Sequence, residues 1–393
     1  MTGHATGPDR RGHSKANFSR VDSVGGAILI STWAVDRFGY PLGKLISQSM
    51  SMTSLISSKF AALTAYTKEH PKKAAFALLS LLFLYRKLRS QARKSVNGKV
   101  VLITGGGSGL GRNLALRFAG LGARVVLWDL NEQALHAVGT EIAAAKGYCW
   151  TFSCDVTNRA MVYATAERVF REVGKVDILI NNAGIVSGDW ITDIPESKVE
   201  RTFHVNVISH FWTIKAFLPE MLKANSGHIV TIASAAGLGG AAKLTDYCAS
   251  KFAAVGLDES LRVELERRGY DGVKTTCICP YYINTGMFDG VVTRFAWLLP
   301  ILSEDYASKR ILESILTNRA YLVMPRLLYL IPLLRFLLPT TLFDAVSNIL
   351  GTNHSMDRFK GRNVVPPLTG PLPASAGGAP APNALPAGRT GHH

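Results

Sequence analysis

The feature that most constrains this chain is an alternation running from Lys99 to Cys279, in which short apolar runs are separated by segments of helical periodicity. The runs are residues 100–104, 123–129, 148–154, 176–181, 228–234 and 273–279. Between them lie 110–119, 132–145, 159–173, 196–222 and 249–268, each long enough for several helical turns. A strand that is apolar at consecutive positions buries both of its faces, as strands do in a parallel sheet covered by helices on each side. Right-handed crossovers, and the need to cover both faces, then leave a doubly wound, Rossmann-type α/β sheet. Residues 320–324 are a candidate seventh strand, so the catalytic domain is expected over 96–325.

The first run leads into Thr104-Gly105-Gly106-Gly107-Ser108-Gly109-Leu110-Gly111. A glycine at the turn admits unusual φ angles. The others let the backbone approach a pyrophosphate at a helix N-terminus, whose unpaired N–H groups and dipole favour anions. Placement between a strand and a helix turns a weak motif into a dinucleotide site built from Gly105, Ser108, Gly109, Leu110 and Gly111. Asp129 ends the second run, eighteen residues after Gly111. A carboxylate there accepts hydrogen bonds from the adenosine ribose hydroxyls and repels a 2′-phosphate. No basic residue stands at the Ser108 position, so NAD(H) is favoured over NADP(H).

Tyr247 and Lys251 lie one helical turn apart and share a face. A tyrosine with pKa ~10 is a poor base at neutral pH. A neighbouring ammonium, with the charge of an oxidised nicotinamide, stabilises tyrosinate and brings the group into its working range. Tyr247 is therefore the expected general acid/base. Lys251 lowers its pKa and binds the nicotinamide ribose. Ser234, at the end of the fifth run, hydrogen-bonds the substrate oxygen and orients it. A Tyr-x-x-x-Lys pair alone carries little information; Ser234 thirteen residues before it and the glycine loop upstream make the set specific.

These motifs, in this order, resemble the short-chain dehydrogenase/reductase family. The resemblance rests on the Thr-Gly-x-x-x-Gly-x-Gly loop, Asp155-Val156 after the third run, Asn181-Asn182-Ala183-Gly184 after the fourth, Asn206, Ser234 and Tyr247-x-x-x-Lys251. It covers about residues 99–286 and implies a Rossmann fold with NAD at the C-terminal edge of the sheet. It further implies that Asp155 and Val156 hold the adenine and that Asn182 and Gly184 line the cofactor path. Asn206, in mid-helix, is implied to hold a water that relays protons to Lys251, and Thr285 to contact the nicotinamide carboxamide. Pro280 is placed with the cofactor residues, although the family's Pro-Gly is Pro280-Tyr281 here, which alters the local turn.

A narrower resemblance lies in residues 247–252 and 285–288, in Met324-Pro325-Arg326, and in the segment from Ser355 to Arg362. It is to the membrane-associated branch that contains epidermal retinal/retinol dehydrogenases and some 17β-hydroxysteroid dehydrogenases. That likeness implies a lipophilic alcohol or ketone as substrate: retinol-like, hydroxysteroid or long-chain. It also implies residence at the endoplasmic reticulum or a lipid droplet with the catalytic domain in the cytosol. Relatives often pair through the helices at Asn206 and Tyr247, which implies a homodimer.

The flanking segments agree with a membrane surface as partner. The chain carries a formal charge of +16, but residues 1–99 hold 16 Lys/Arg against 4 Asp/Glu and the remainder 28 against 24. The basicity sits in the N-terminal segment and not on the folded domain, which argues against a nucleic-acid partner and for an anionic lipid surface. Residues 1–73 read as a basic, partly disordered arm, with an organelle transit peptide as the alternative. Residues 74–95 combine an apolar run with Arg86, Lys87, Arg89, Arg93 and Lys94. The run is too short for a simple span and suits a shallow interfacial anchor. Residues 326–363 are apolar but broken by Pro332, Pro339 and Arg335, as expected of short lid or membrane-contact helices. Residues 364–393, rich in Pro, Ala and Gly, are expected to be disordered. Neither the spacing of the five cysteines nor that of His204, His210 and His228 matches a metal site. The alternative to an enzyme is a lipid-surface binding or scaffold protein that retains the dehydrogenase fold.

Overall fold

A computed structural model describes residues 93–361, together with 73 and 79–81. Almost all of the expected basic arm, most of the 74–95 segment and the whole 364–393 tail lie outside the described residues. The chain divides into two units, 1–90 and 91–393, and the sheet belongs wholly to the second.

Seven strands form one parallel sheet: β1 (Val100–Thr104), β2 (Arg124–Asp129), β3 (Tyr148–Ser153), β4 (Ile178–Asn181), β5 (Gly227–Ile232), β6 (Val273–Pro280) and β7 (Tyr321–Met324). Their order across the sheet is β3-β2-β1-β4-β5-β6-β7. The winding reverses between β1 and β4. In a doubly wound sheet the crevice beyond the strand ends at that reversal is where ligands bind.

The central strands β1 and β4 are fully buried because both faces are covered, whereas edge strand β3 is largely half-buried or exposed. Val101 and Ile103 of β1 enter one core, with Leu114 and Phe118 of α1 (Gly109–Gly120) and Ile311 of α7 (Glu304–Leu316). Val100 and Leu102 enter the other, with Val162 and Val169 of α3 (Arg159–Glu172) and Phe217 of α5 (Ser209–Lys223). Three of the helices begin where short polar side chains cap them. Asn131 accepts from the Ala134 N–H at 3.0 Å to open α2 (Glu132–Ala144), and Asn158 accepts from Met161 at 3.1 Å to open α3. Ser303 does the same for α7, with Glu304 and Asp305 in its first turn.

One expected element is divided. The helix read from 196 to 222 is α4 (Glu196–Phe203), a π-helical turn (His204–Ile208) and α5. Asn206 sits inside the π turn and not in the middle of a continuous α-helix. α6 (Thr245–Arg267) carries Tyr247 and Lys251 in its first two turns. After β7 come α8 (Leu330–Leu337) and α9 (Thr340–Ile349). Among the described residues no helix is long and apolar enough to cross a membrane.

Candidate active site

The crevice at the C-terminal strand ends opens into a cavity of about 660 Å³. Its walls are the glycine loop, the ends of β2, β4, β5 and β6, the start of α6, and α8 and α9.

At one end the loop after β1 turns through left-handed backbone at Gly105 (φ +63°) and Gly109 (φ +51°). A side chain at Gly111 would overlap the Gly105 carbonyl, so the first turn of α1 approaches the loop as only glycine allows. The loop is tied down from two sides. The Asn182 amide donates to the carbonyls of Thr104 (2.9 Å) and Gly105 (3.1 Å), and the Thr104 hydroxyl accepts from the N–H groups of Asn182 (3.0 Å) and Ala183 (3.1 Å). Asp129 receives the N–H of Gly107 on Oδ2 at 2.9 Å and that of Asn131 on Oδ1 at 3.0 Å. Ser108 and Leu110 line the same end. So do Asp155, whose Oδ1 accepts both the N–H and the hydroxyl of Thr157 (2.9 and 2.7 Å), and Val156.

At the centre, Ser234, Tyr247 and Lys251 come together from β5 and α6. The Ser234 hydroxyl accepts the Ala236 N–H at 3.1 Å and donates to the Pro280 carbonyl at 3.4 Å, beside the Tyr247 phenol. Lys251 is 3% exposed; its ammonium donates to the Ile232 carbonyl at 2.9 Å and lies 5.6 Å from the centre of the Tyr247 ring. Burial lowers Lys251 from 10.5 to about 8. Burial also pushes the Tyr247 phenol above its ordinary range, and the Ser234 hydroxyl opposes this in part. From the protein alone, desolvation is thus the largest influence on Tyr247.

Gly184 leaves room beside this group. A Cβ there would stand 3.4 Å from Asn206 Oδ1 and 3.7 Å from Lys251 Nζ. Asn206 itself is fully buried. Its amide oxygen accepts the Ile185 N–H at 2.9 Å, and its NH2 donates to the Ile185 carbonyl and to the Ser250 hydroxyl, both at 3.0 Å. It is absent from the residues that wall the cavity, whereas Gly184, Pro280 and Thr285 are among them.

At the far end the wall is apolar. Leu299, Leu328, Ile331, Leu334, Phe343, Val346 and Leu350 line it. The sequence reading named no individual residue here, because an apolar helix carries no motif. It also passed over Asp246, which takes the Ser187 hydroxyl at 2.7 Å and so fixes the loop after β4 to the start of α6.

Residues 99–294 match the family described as short chain dehydrogenase. Epidermal retinol dehydrogenase 2 of Mus musculus is 46% identical over 293 residues, covering 74% of this chain and 94% of that one. Retinol dehydrogenase 10 of Homo sapiens is 43% identical over 312 residues, covering 72% and 90%. Among solved structures, a short chain dehydrogenase/reductase from Burkholderia phymatum in complex with NAD superposes with a TM-score of 0.56 at 31% identity, covering 62% of this chain and 95% of that one.

Proposed function

The chain belongs to the short-chain dehydrogenase/reductase family, and on that premise we propose that it interconverts a lipophilic alcohol and its aldehyde or ketone with NAD(H). One observation carries this reading: a glycine cradle, a Ser-Tyr-Lys cluster and a long apolar wall share a single cavity.

The cradle suits a dinucleotide. Its glycines stand where side chains would close the loop, and the N-terminus of α1 faces it. Asp129 suits unphosphorylated ribose, which favours NAD over NADP. Asp155 and Val156 would flank the adenine, Asn182 and Gly184 the path onward, and Thr285 and Pro280 the nicotinamide end. Bound there, the nicotinamide supplies the hydride donor or acceptor.

The chain's own residues supply the rest. Ser234 hydrogen-bonds the substrate oxygen. Tyr247 passes a proton to that oxygen or takes one from it. Burial holds Tyr247 protonated, which suits the donation step of carbonyl reduction; in the oxidising direction the positive charge at Lys251 must offset that burial. The Asn206 NH2 is committed to Ile185 and Ser250, so a water held for Lys251 would donate to its amide oxygen, which among the described residues accepts only the Ile185 N–H, or to its backbone carbonyl.

Two relatives are named retinol dehydrogenases, and the apolar wall fits such a substrate class. The same helices supply a membrane contact. Ile331 and Leu334 of α8 face the cavity, while Leu330, Leu333, Phe336 and Leu337 remain on the surface, Phe336 at 85% exposure. α9 repeats the pattern, with Phe343 and Val346 inward and Leu342 and Ile349 outward. A helix apolar on both faces belongs in a core or against lipid. The partner is then a surface of the endoplasmic reticulum or a lipid droplet, from which substrate reaches the cavity directly.

A series of primary alcohols tests the reading. With NAD in excess, kcat/KM should rise about fourfold per added methylene until the wall is covered, following ~0.8 kcal/mol per buried CH2. A flat series, or a preference for the shortest alcohols, would contradict it.

A further inference from the structure

The chain between α9 and the last described residue returns to the catalytic centre. Tyr282, Phe288 and Met356 pack in one cluster with Leu244 and Tyr247. Phe288 meets the Tyr247 ring edge to face, with centroids 5.6 Å apart and planes at 81°. Phe359 lies behind Phe288 at 6.4 Å. The Ser355 hydroxyl donates to the Thr352 carbonyl at 2.8 Å, so the buried contact with Tyr282 at 2.9 Å has the Tyr282 hydroxyl as donor. Two backbone bonds pin the same stretch to the loop after β6: Val292 N–H to the Ser355 carbonyl (3.1 Å) and Lys360 N–H to the Asp289 carbonyl (2.9 Å).

Two glycines show that this passage is written into distant loops. A side chain at Gly188 (φ +81°) would overlap the Phe359 ring, and one at Gly290 (φ +85°) would overlap the Arg358 carbonyl. Both use left-handed backbone, which favours glycine, and both leave the volume through which this stretch runs.

We propose that residues 355–361 form a strap in which Ser355 and Phe359 are positioning residues for Tyr247, acting through Tyr282 and Phe288. The strap rests on the reading of this cavity as a dehydrogenase site. It lies beyond the region that matches the family, which ends at residue 294. Because the strap follows directly from α9, whose inner face lines the cavity, the substrate wall and the proton-transfer group are mechanically joined.

The test uses the full chain carrying Phe359→Ala or Ser355→Ala, with NADH affinity from fluorescence titration, turnover, and amide hydrogen exchange. Both variants should keep NADH affinity within about twofold, exchange faster than wild type over 281–292 and 244–252, and lose about tenfold to a hundredfold in kcat. Exchange unchanged in both segments overturns the strap whatever the turnover. Faster exchange with wild-type kcat overturns its positioning role. If the wild type oxidises no alcohol, the dehydrogenase reading fails by itself, while the exchange result still decides the strap.

Discussion

Tyr247→Phe should lower kcat about a thousandfold while leaving NADH affinity within about twofold. The substitution removes one hydroxyl from a ring that is 5% exposed and packed against Phe288, so the shape of the site survives. What is lost is the hydroxyl beside Ser234 that the proposed function assigns to proton transfer with the substrate oxygen. Ser234 keeps its Ala236 contact and can still hold that oxygen, but without proton transfer the alkoxide must form unaided. Steady-state turnover beside a cofactor titration separates the two effects. Unchanged turnover in the variant would remove Tyr247 from the chemistry and favour a scaffold role for the fold.

Lys251→Met should abolish turnover and, at neutral pH, raise stability by about 2 kcal/mol. The ammonium is buried, its strongest interaction is one carbonyl, and burial has moved it from 10.5 to about 8. Between these values the unfolded chain binds a proton that the folded chain does not, so wild-type stability rises with pH across that window. Below about pH 8 the folded protein carries the full penalty of a buried charge. The methionine variant carries none, though it forgoes the bond to the Ile232 carbonyl, worth about 1 kcal/mol. Its advantage in thermal unfolding should be largest at neutral pH and shrink steadily above pH 8. A variant less stable than wild type at neutral pH, or a gap that widens with pH, would show that the ammonium stabilises the fold. A gain in stability with lost activity is the trade expected where a catalytic cation is held in a site that disfavours it.

The sheet was legible because its strands are mostly apolar on both faces, so six of them and the candidate seventh stand out without any alternation to decode. Gly105, Gly111 and Asp129 stood out because phosphate and ribose recognition would require particular residues at particular spacings, and the fold brings all three to the cavity wall. The break at His204–Ile208 did not, because a π turn is set by packing around Asn206 and leaves the helical period of the sequence intact. α7 went unread although Ser303-Glu304-Asp305 is a helix start and Ala307, Ile311 and Ile315 fall on one buried face. The burial of Tyr247 was hidden for another reason: a sequence shows that a lysine is near, but not that the tyrosine is 5% exposed and packed against Phe288. The partners of Ser355 and Phe359 lie far away in sequence, at Tyr282, Phe288 and Gly188, and only the folded chain brings them together.

The most direct test of the central claim follows the hydride. Wild-type protein in lipid would be given NAD and a long-chain primary alcohol with both carbinol hydrogens replaced by deuterium, and both products would be read by mass spectrometry. The proposed function predicts one deuterium in NADH for each molecule of aldehyde formed, with both products appearing about a thousandfold more slowly with Tyr247→Phe. Bound NAD with no deuterium transferred, from this or any other lipophilic alcohol, would contradict it.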